Sequence, residues 1–490
     1  MTKKQAFYKK KRNLILSLII VLYIGTIFFH QVKELPEDVS YFGDEHWLME
    51  DEITFLYDLT YQKQGEEIHE QEIFDTAFQM IEEAEDFLVI DMFMVNDFSD
   101  EARDFPELSS LFIEKIRDQL KKHPDLQVVL ITDEINRSYN SHQALQIDRL
   151  AEDRVEIIYT DLTKLRDSNV LYSGIWRLFF QWFGQEGNGW LPNPFGETSP
   201  KVTFRSYLQL LNIKANHRKA IITEDHGLIL SANAHDSSAF HSNVAVQVTG
   251  PIIKDMVETE RAVAKFSGGD LNAFPSEEKL NAYFSQEAPQ EERTIRARIL
   301  TEKQIETDFL GAMEQLEADD EIWIGMFYLS DHTVITSLLD AAERGVDVHL
   351  ILDPNENAFG SEKIGLPNIP VAQGLIDDSA GRIEIKWYQT NEEQYHSKIA
   401  YLKGHEESYV TAGSTNFTSR NLDNYNLENN IAVTAPNDST FIQDIDTYFK
   451  RLWNNEDAIF TIPHSKEEDA LTPIKSVLYW TQKLLRFTTY

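Results

Sequence analysis

Two short clusters in this chain carry the residue types of a phosphate-handling site. One is His217 with Lys219, followed by Ser231 and Asn233; the other is His396 with Lys398, followed by Ser414 and Asn416. An imidazole attacks phosphorus or moves a proton. An ammonium and a carboxamide stabilise charge on the non-bridging oxygens. His and Lys two positions apart leave the same side of an extended strand, so each pair converges on one place. With 14 histidines and 45 lysines and arginines in 490 residues, about one such spacing arises by chance, so a single pair carries little weight. Two pairs with the same flanks carry more. Each is followed by an apolar run and then by its Ser and Asn, and further on residues 243–246 align with 430–433. Facing each other, the two sets would hold one phosphodiester. One His would attack, the other would protonate the leaving alkoxide and then activate water or an alcohol. The lysines neutralise the phosphate, so the scheme needs no metal and no cofactor.

The elements that position these residues also occur twice. Residues 89–97 resemble 323–331, and each stretch follows an acidic helical pattern (73–86 and 306–321). A second helical pattern comes next, 108–122 and 334–344. Short runs rich in branched residues, 127–132 and 346–352, read as strands, as do 154–159 and 382–387. Strands alternating with helices give an α/β class, with two similar lobes, each a mixed sheet flanked by helices. The expected division is a first lobe at 45–265 (motif 212–239), a linker rich in Ser, Gly, Pro and acids at 266–292, a second lobe at 293–455 (motif 390–420) and an amphipathic tail at 456–490.

The N-terminus is of another kind. Six basic residues between Lys3 and Arg12 precede an uncharged stretch, 13–32, that is nearly all apolar to Phe29. Roughly 20 such residues cross a hydrocarbon core. The stretch ends in bulky residues, a poor exit for a signal peptidase. Residues 1–32 therefore read as an uncleaved, single-pass cell-membrane anchor, with the N-terminus cytoplasmic and the remainder extracellular. The chain has no cysteine, which excludes disulfides and thiol chemistry, and a net charge of −36. An acidic surface repels nucleic acid, and no long basic run exists outside the anchor.

Taken together, the paired motifs resemble the phospholipase D superfamily, whose pattern is H-x-K-x4-D followed by G-S-x-N. The resemblance spans about residues 45–455 and is strong at 341–348 and at both His-x-Lys sites. It implies a pseudo-twofold site between the lobes, a covalent phosphohistidine intermediate, His217 as nucleophile and His396 as general acid; sequence leaves the reverse open. There are departures. The family Asp falls on Glu224 in the first motif, beside Asp225, and on Lys403 in the second. The acid that orients each His falls on Glu428 in the second copy and on His241 in the first, with Asp236 near. His235, His349, His405 and His464 are expected in ordinary surface or turn roles.

An insertion at 166–196 is aromatic and weakly charged, with Trp176, Trp182, Phe183 and Trp190. Two readings stand side by side, an element at the membrane interface or a lid packed on the lobe. With the anchor and the acidic surface it favours a membrane phospholipid substrate over nucleic acid, with water or an alcohol as acceptor. The expected reactions are phospholipase D-like hydrolysis and cardiolipin synthase-like phosphatidyl transfer. A metal-independent nuclease would need a basic groove, and a non-catalytic tethered binding protein would show no turnover.

Overall fold

The computed structural model describes residues 3–36, 38–99, 104–284, 293–355, 357–358, 361–362, 365–464, 477 and 481. Among these, two mixed sheets form. The first runs, edge to edge, Glu66–Glu70, Ile53–Lys63, Asn243–Val248, Gly227–Leu230, Lys219–Thr223, Phe87–Met92, Gln127–Thr132, Glu156–Tyr159. The second runs His46–Leu48, Ile295–Thr301, Asn429–Pro436, Glu407–Gly413, Lys398–Lys403, Glu321–Met326, Asp347–Leu352, Ile383–Tyr388, Thr461–Pro463. With Glu66–Glu70 removed from one, and His46–Leu48 and Thr461–Pro463 from the other, the two orders are the same. In each, the strand that begins with the motif lysine lies in the middle. It pairs antiparallel with the strand on either side, and the last three common strands are parallel.

The central strands are apolar on both faces because both are covered. Phe87–Met92 is buried at every position. The outer faces meet amphipathic helices such as Leu108–Lys122 and His332–Arg344, which close the end cores of the two lobes. The inner faces share a third core. It joins Ala220, Ile229 and Val246 of the first sheet to Ile399, Val410, Ile431 and Val433 of the second. Tyr448, on the helix Thr440–Asn454, packs against both Phe55 and Tyr57 of the first lobe. A common core fixes the lobes to each other, so a site between them has rigid walls.

Chain order and lobe membership differ at three points. His46–Leu48 pairs with Ile295–Thr301, so the first strand after the anchor belongs to the second sheet. The stretch read as a linker is folded up to Phe284. Ser276 caps the helix Glu277–Tyr283 by accepting from the Lys279 N–H, while Phe274 and Leu280 are buried. Pro and Ser there mark a helix start rather than a loose connection. Thr461–Pro463 adds an edge strand to the second sheet, and the rest of the expected tail beyond His464, apart from Val477 and Thr481, lies outside the described residues.

Candidate active site

His217 and His396 line one cavity of about 530 Å³, together with Asn233 and Asn416. The lobes are stitched together at its floor. The His217 N–H donates to the Leu427 carbonyl at 2.8 Å, and the His396 N–H donates to the Ser242 carbonyl at 2.8 Å. In return Leu427 donates to Ala215 and Ser242 to Gln394. Each motif is therefore held by the strand entry of the opposite lobe, which sets the distance between the imidazoles.

The same crossing orients the rings. His217 Nδ1 lies 3.0 Å from the Glu428 carboxylate, which is fully buried and also accepts from the Ser414 hydroxyl and the Asn421 amide. His396 Nδ1 lies 3.1 Å from the Asn243 amide oxygen, which also accepts from the Ser231 hydroxyl at 2.9 Å. A ring that donates from Nδ1 keeps the lone pair on Nε2, facing the cavity. The supporting serines thus hold the residue that orients the opposite histidine. Both imidazoles are neutral near pH 7. Burial pushes His217 down to about 4 against the pull of Glu428, and burial followed by the Lys398 charge pushes His396 well below its usual value.

This corrects the expected orienting pair. Glu428 serves the histidine of the other copy, and its counterpart is Asn243, not His241. Leu230 faces Ala245 just as Gly413 faces Asn430, so the alignment of 243–246 with 430–433 is displaced by two residues. A slip of two preserves the inward and outward alternation of a strand, and pattern alone does not detect it. His241 instead accepts from the Gln394 N–H at 3.2 Å, with its ring 5.9 Å from that of His396. Asp236 accepts from the Ser109 N–H at the start of the helix Leu108–Lys122. His235, expected in a surface or turn role, is buried on the cavity wall and bonded to the Phe98 carbonyl.

Lys219 and Lys398 are buried at the start of their strands. Each ammonium donates to the carbonyl of its own motif histidine, at 2.8 and 2.6 Å, and lies over Phe93 or Phe327. Those two rings also stand edge-on to His217 and against His396, at 5.0 and 5.1 Å. Burial lowers Lys219 to about 7, and burial with the nearby Lys219 charge takes Lys398 well down. The amide oxygens of Asn233 and Asn416 are buried without a hydrogen-bond partner. An unmet acceptor on a cavity wall is what a hydroxyl or a water entering the cavity would satisfy.

Glu224 is elsewhere. It accepts from the N–H groups of Glu85, Asp86 and Phe87 at 2.6, 2.9 and 3.1 Å, and so anchors the start of Phe87–Met92. Lys403, in the matching place, pairs with Asp446 at 3.1 Å and with Glu321, the first residue of the equivalent strand, at 3.4 Å. An acid and a base do one mechanical job there, and neither borders the cavity. Glu224→Ala is expected to lower stability by about 1–3 kcal/mol, the cost of unpaired buried donors, with kcat unchanged; urea melts and turnover on the same preparation check this.

Four further elements of the site carry signals that sequence reading passed over. Asp133 and Asp353 follow equivalent strands by one residue. Each accepts at 2.7 Å from a backbone N–H just before a motif histidine, that of Asn216 and that of Tyr395. Phe93 and Phe327 lie within the matched stretches 89–97 and 323–331. Asn136 and Asn368 tie down the loops that carry these rings, through Phe93 and Val95 and through Phe327 and Leu329. Arg218, between His217 and Lys219, is fully buried and holds Glu302 in a two-pronged pair at 2.8 and 2.9 Å. Among the described residues no group of three or more His, Cys, Asp or Glu side chains is arranged to hold a metal ion.

Residues 314–453 match the cardiolipin synthase, PLD-like domain family. No curated protein matches the sequence. Among solved structures, phosphatidylserine synthase from Haemophilus influenzae Rd KW20 superposes with a TM-score of 0.58 at 10% identity, over 92% of this chain and 97% of that one. Polyphosphate kinase from Porphyromonas gingivalis gives 0.44 at 13% identity, over 93% and 57%. Nuc, a phospholipase D family member from Salmonella typhimurium, gives 0.26 at 17% identity, over 34% and 98%. The likeness to the Haemophilus protein is one of fold. Residues 314–453 thus carry the match to a PLD-like domain, both halves share one strand order, and each half brings the histidine of its His-x-Lys motif to one cavity.

Proposed function

We propose that this chain is a membrane-anchored phosphodiesterase that hydrolyses or transfers the phosphatidyl group of phospholipids through a phosphohistidine. The observation that carries the proposal is the single cavity with an imidazole from each lobe, each ring held from the opposite lobe at Nδ1 and open at Nε2. The Haemophilus neighbour is a phosphatidylserine synthase by title, and the family matched at 314–453 is named for cardiolipin synthase. Both names point to phosphatidyl transfer.

The asymmetry of the two braces supports an assignment of roles. A carboxylate at Nδ1 stabilises the cation that forms when His217 attacks phosphorus, so His217 is the nucleophile. The neutral amide behind His396 gives its imidazolium no such support, so His396 gives up its proton readily to the leaving alkoxide. Phosphate entry brings the negative charge that holds the two lysines protonated and lets His396 take up a proton at Nε2, the proton it then gives. Proton by proton, His396 donates to the leaving alcohol, then takes a proton from water or from an acceptor alcohol. That oxygen attacks phosphorus and releases His217. The apolar wall of the cavity, with Phe195, Leu210 and Ile213, suits an acyl or glycerol portion.

The anchor is the helix Lys3–Val32, and its segment Phe7–Val32 is long and apolar enough to cross a membrane. The basic cluster sets the N-terminus in the cytoplasm and the cavity outside.

The pH dependence of kcat/KM follows from the free-enzyme groups. His217 must be neutral to attack, so activity falls as pH drops through about 4. Lys219 must be protonated to neutralise phosphate and His396 to act as acid, and burial lowers both, Lys219 to about 7, so activity falls as pH rises through these groups. A bell with its acid limb near 4 and its alkaline limb at or below about 7, measured on a short-chain phosphatidylglycerol, is expected; a profile with no alkaline limb up to about pH 9 would remove both Lys219 as charge neutraliser and His396 as acid. The direct test of the reaction is incubation with labelled phosphatidylglycerol and phosphatidylethanolamine in vesicles, scored for head-group release and for cardiolipin. Absence of both products would overturn the proposal.

A further inference from the structure

The insertion helix Val170–Phe179 presents an apolar face that none of the described residues covers. Leu171, Ile175, Phe179 and Trp182 recur at helical spacing, and all are exposed, Trp182 to 75%. Its other side packs on the anchor. Tyr23, Thr26, Ile27 and His30 form a half-buried stripe on an otherwise exposed stretch of that helix. The Tyr23 hydroxyl donates to the Leu171 carbonyl at 2.7 Å. Gly174 sits at the crossing, where an added Cβ would lie 2.7 Å from both Tyr23 and Ile27. Only glycine allows the two helices to approach this closely.

The anchor sets the depth. At about 1.5 Å per residue, Ile27 and Tyr23 lie about 8 and 14 Å along the helix from Val32, where the apolar segment ends. With that segment spanning the bilayer, the crossing lies within the outer leaflet and not above it. The charge on the insertion helix fits such a position. Between Asp167 and Glu186 the only charged residue is Arg177. It turns inward, pairs with Asp167 at 2.6 Å and donates to the Thr163 carbonyl at 3.0 Å. Lys214 closes the same cluster on Asp167 at 2.5 Å and lines the catalytic cavity. A charged group in a lipid-embedded helix is tolerated when it faces protein and is paired.

We infer that the insertion helix is embedded in the outer leaflet beside the anchor, and that this helix pair seats the mouth of the cavity on the lipid surface. The occupant of the exposed stripe is the acyl region of the bilayer. Asn169 and Tyr172 reach back to the carbonyls of Leu211 and Leu208, so the embedded helix is tied to the segment that supplies Leu210 and Ile213 to the cavity wall. This deepens the proposed function by naming how a lipid reaches the site, but its test reads depth and not turnover.

The chain has no cysteine, so single substitutions give unambiguous labels. Full-length Phe179→Cys, Trp182→Cys and, as a control on the second lobe, Asp340→Cys would each carry a polarity-sensitive fluorophore in vesicles of phosphatidylglycerol and phosphatidylethanolamine. Labels at 179 and 182 should be blue-shifted, quenched by lipids brominated on the acyl chain and shielded from aqueous iodide; the label at 340 should show the reverse. Gly174→Leu should part the helices and abolish acyl-chain quenching at 182. Equal access of iodide to all three labels would overturn the inference. So would shielding that disappears when the protein is diluted in lipid, because that would make the stripe a contact between copies. Shielding without head-group release would instead remove the proposed reaction and leave the membrane placement standing.

Discussion

Replacing either His217 or His396 by alanine is expected to lower kcat/KM on a phospholipid by at least about a hundredfold, the scale of a lost nucleophile or general acid. Loss of both should cost little more than loss of one, since the two act on a single phosphorus. The variants should then separate on a substrate whose leaving group needs no proton. On a p-nitrophenyl phosphodiester, His396→Ala should recover the bond-breaking step, because the phenolate departs unprotonated. His217→Ala should stay inactive, since nothing attacks. Recovery in His217→Ala with failure in His396→Ala would exchange the roles. The braces predict the first outcome, because Glu428 stands behind one ring and Asn243 behind the other.

The second large effect is on stability. Arg218 lies at the junction of the lobes. It pairs with Glu302 of the second lobe, approaches Glu260 of the first at 3.7 Å, and donates to the Thr259 and Val39 carbonyls at 3.0 and 2.9 Å. Glu260 also shares a buried hydrogen bond with Asp91, which burial and that neighbouring carboxyl raise well above the usual range; Asp91 in turn holds the Asn216 amide. Arg218→Met keeps the bulk but removes the cation that these carboxylates share, leaving them buried and unpaired. A loss that approaches about 3–5 kcal/mol on the alkaline side of neutrality is expected. Burial already raises Glu302 to about 7 with Arg218 in place, and loss of the cation raises it further, so the deficit grows as pH rises through neutral and shrinks as pH falls toward about 4.3, the unfolded value for Glu. Arg218→Met with Glu302→Gln should recover part of the loss. Urea melts across this range check both statements, and a deficit independent of pH would mean that packing rather than charge is lost.

Much of the fold was legible because the sequence states it twice. The helix at 108–122 and the strand at 127–132 occur at the bounds read from periodicity, and the repeat identified the two lobes as copies of one plan. The motif residues were legible because His and Lys at that spacing occur twice with like flanks. What stayed hidden is what depends on contact between the lobes. That Glu428 reaches His217 and not His396 is a crossing of chains 211 residues apart, and no periodicity records it. The misassigned His241 shows the same limit, since a two-residue slip leaves every inward position inward. Glu224 and Lys403 mislead in another way. A family acid replaced by a lysine reads as lost chemistry, but both side chains fasten the start of a neighbouring strand, and several pairings can do that. The strand His46–Leu48 joins the second sheet through tertiary contact alone, and three residues hold too little pattern to reveal it.

The central claim is that two imidazoles, one from each half, work in turn on one phosphorus. Its most direct test is a rapid-quench reaction with short-chain phosphatidylglycerol radiolabelled at phosphorus, followed by denaturation, digestion at alkaline pH to preserve phosphohistidine, and mass spectrometry. The account predicts a phosphatidyl adduct on the peptide that contains His217, formed and lost at rates that match turnover and absent from His217→Ala. Turnover that proceeds with no adduct on either histidine would contradict it.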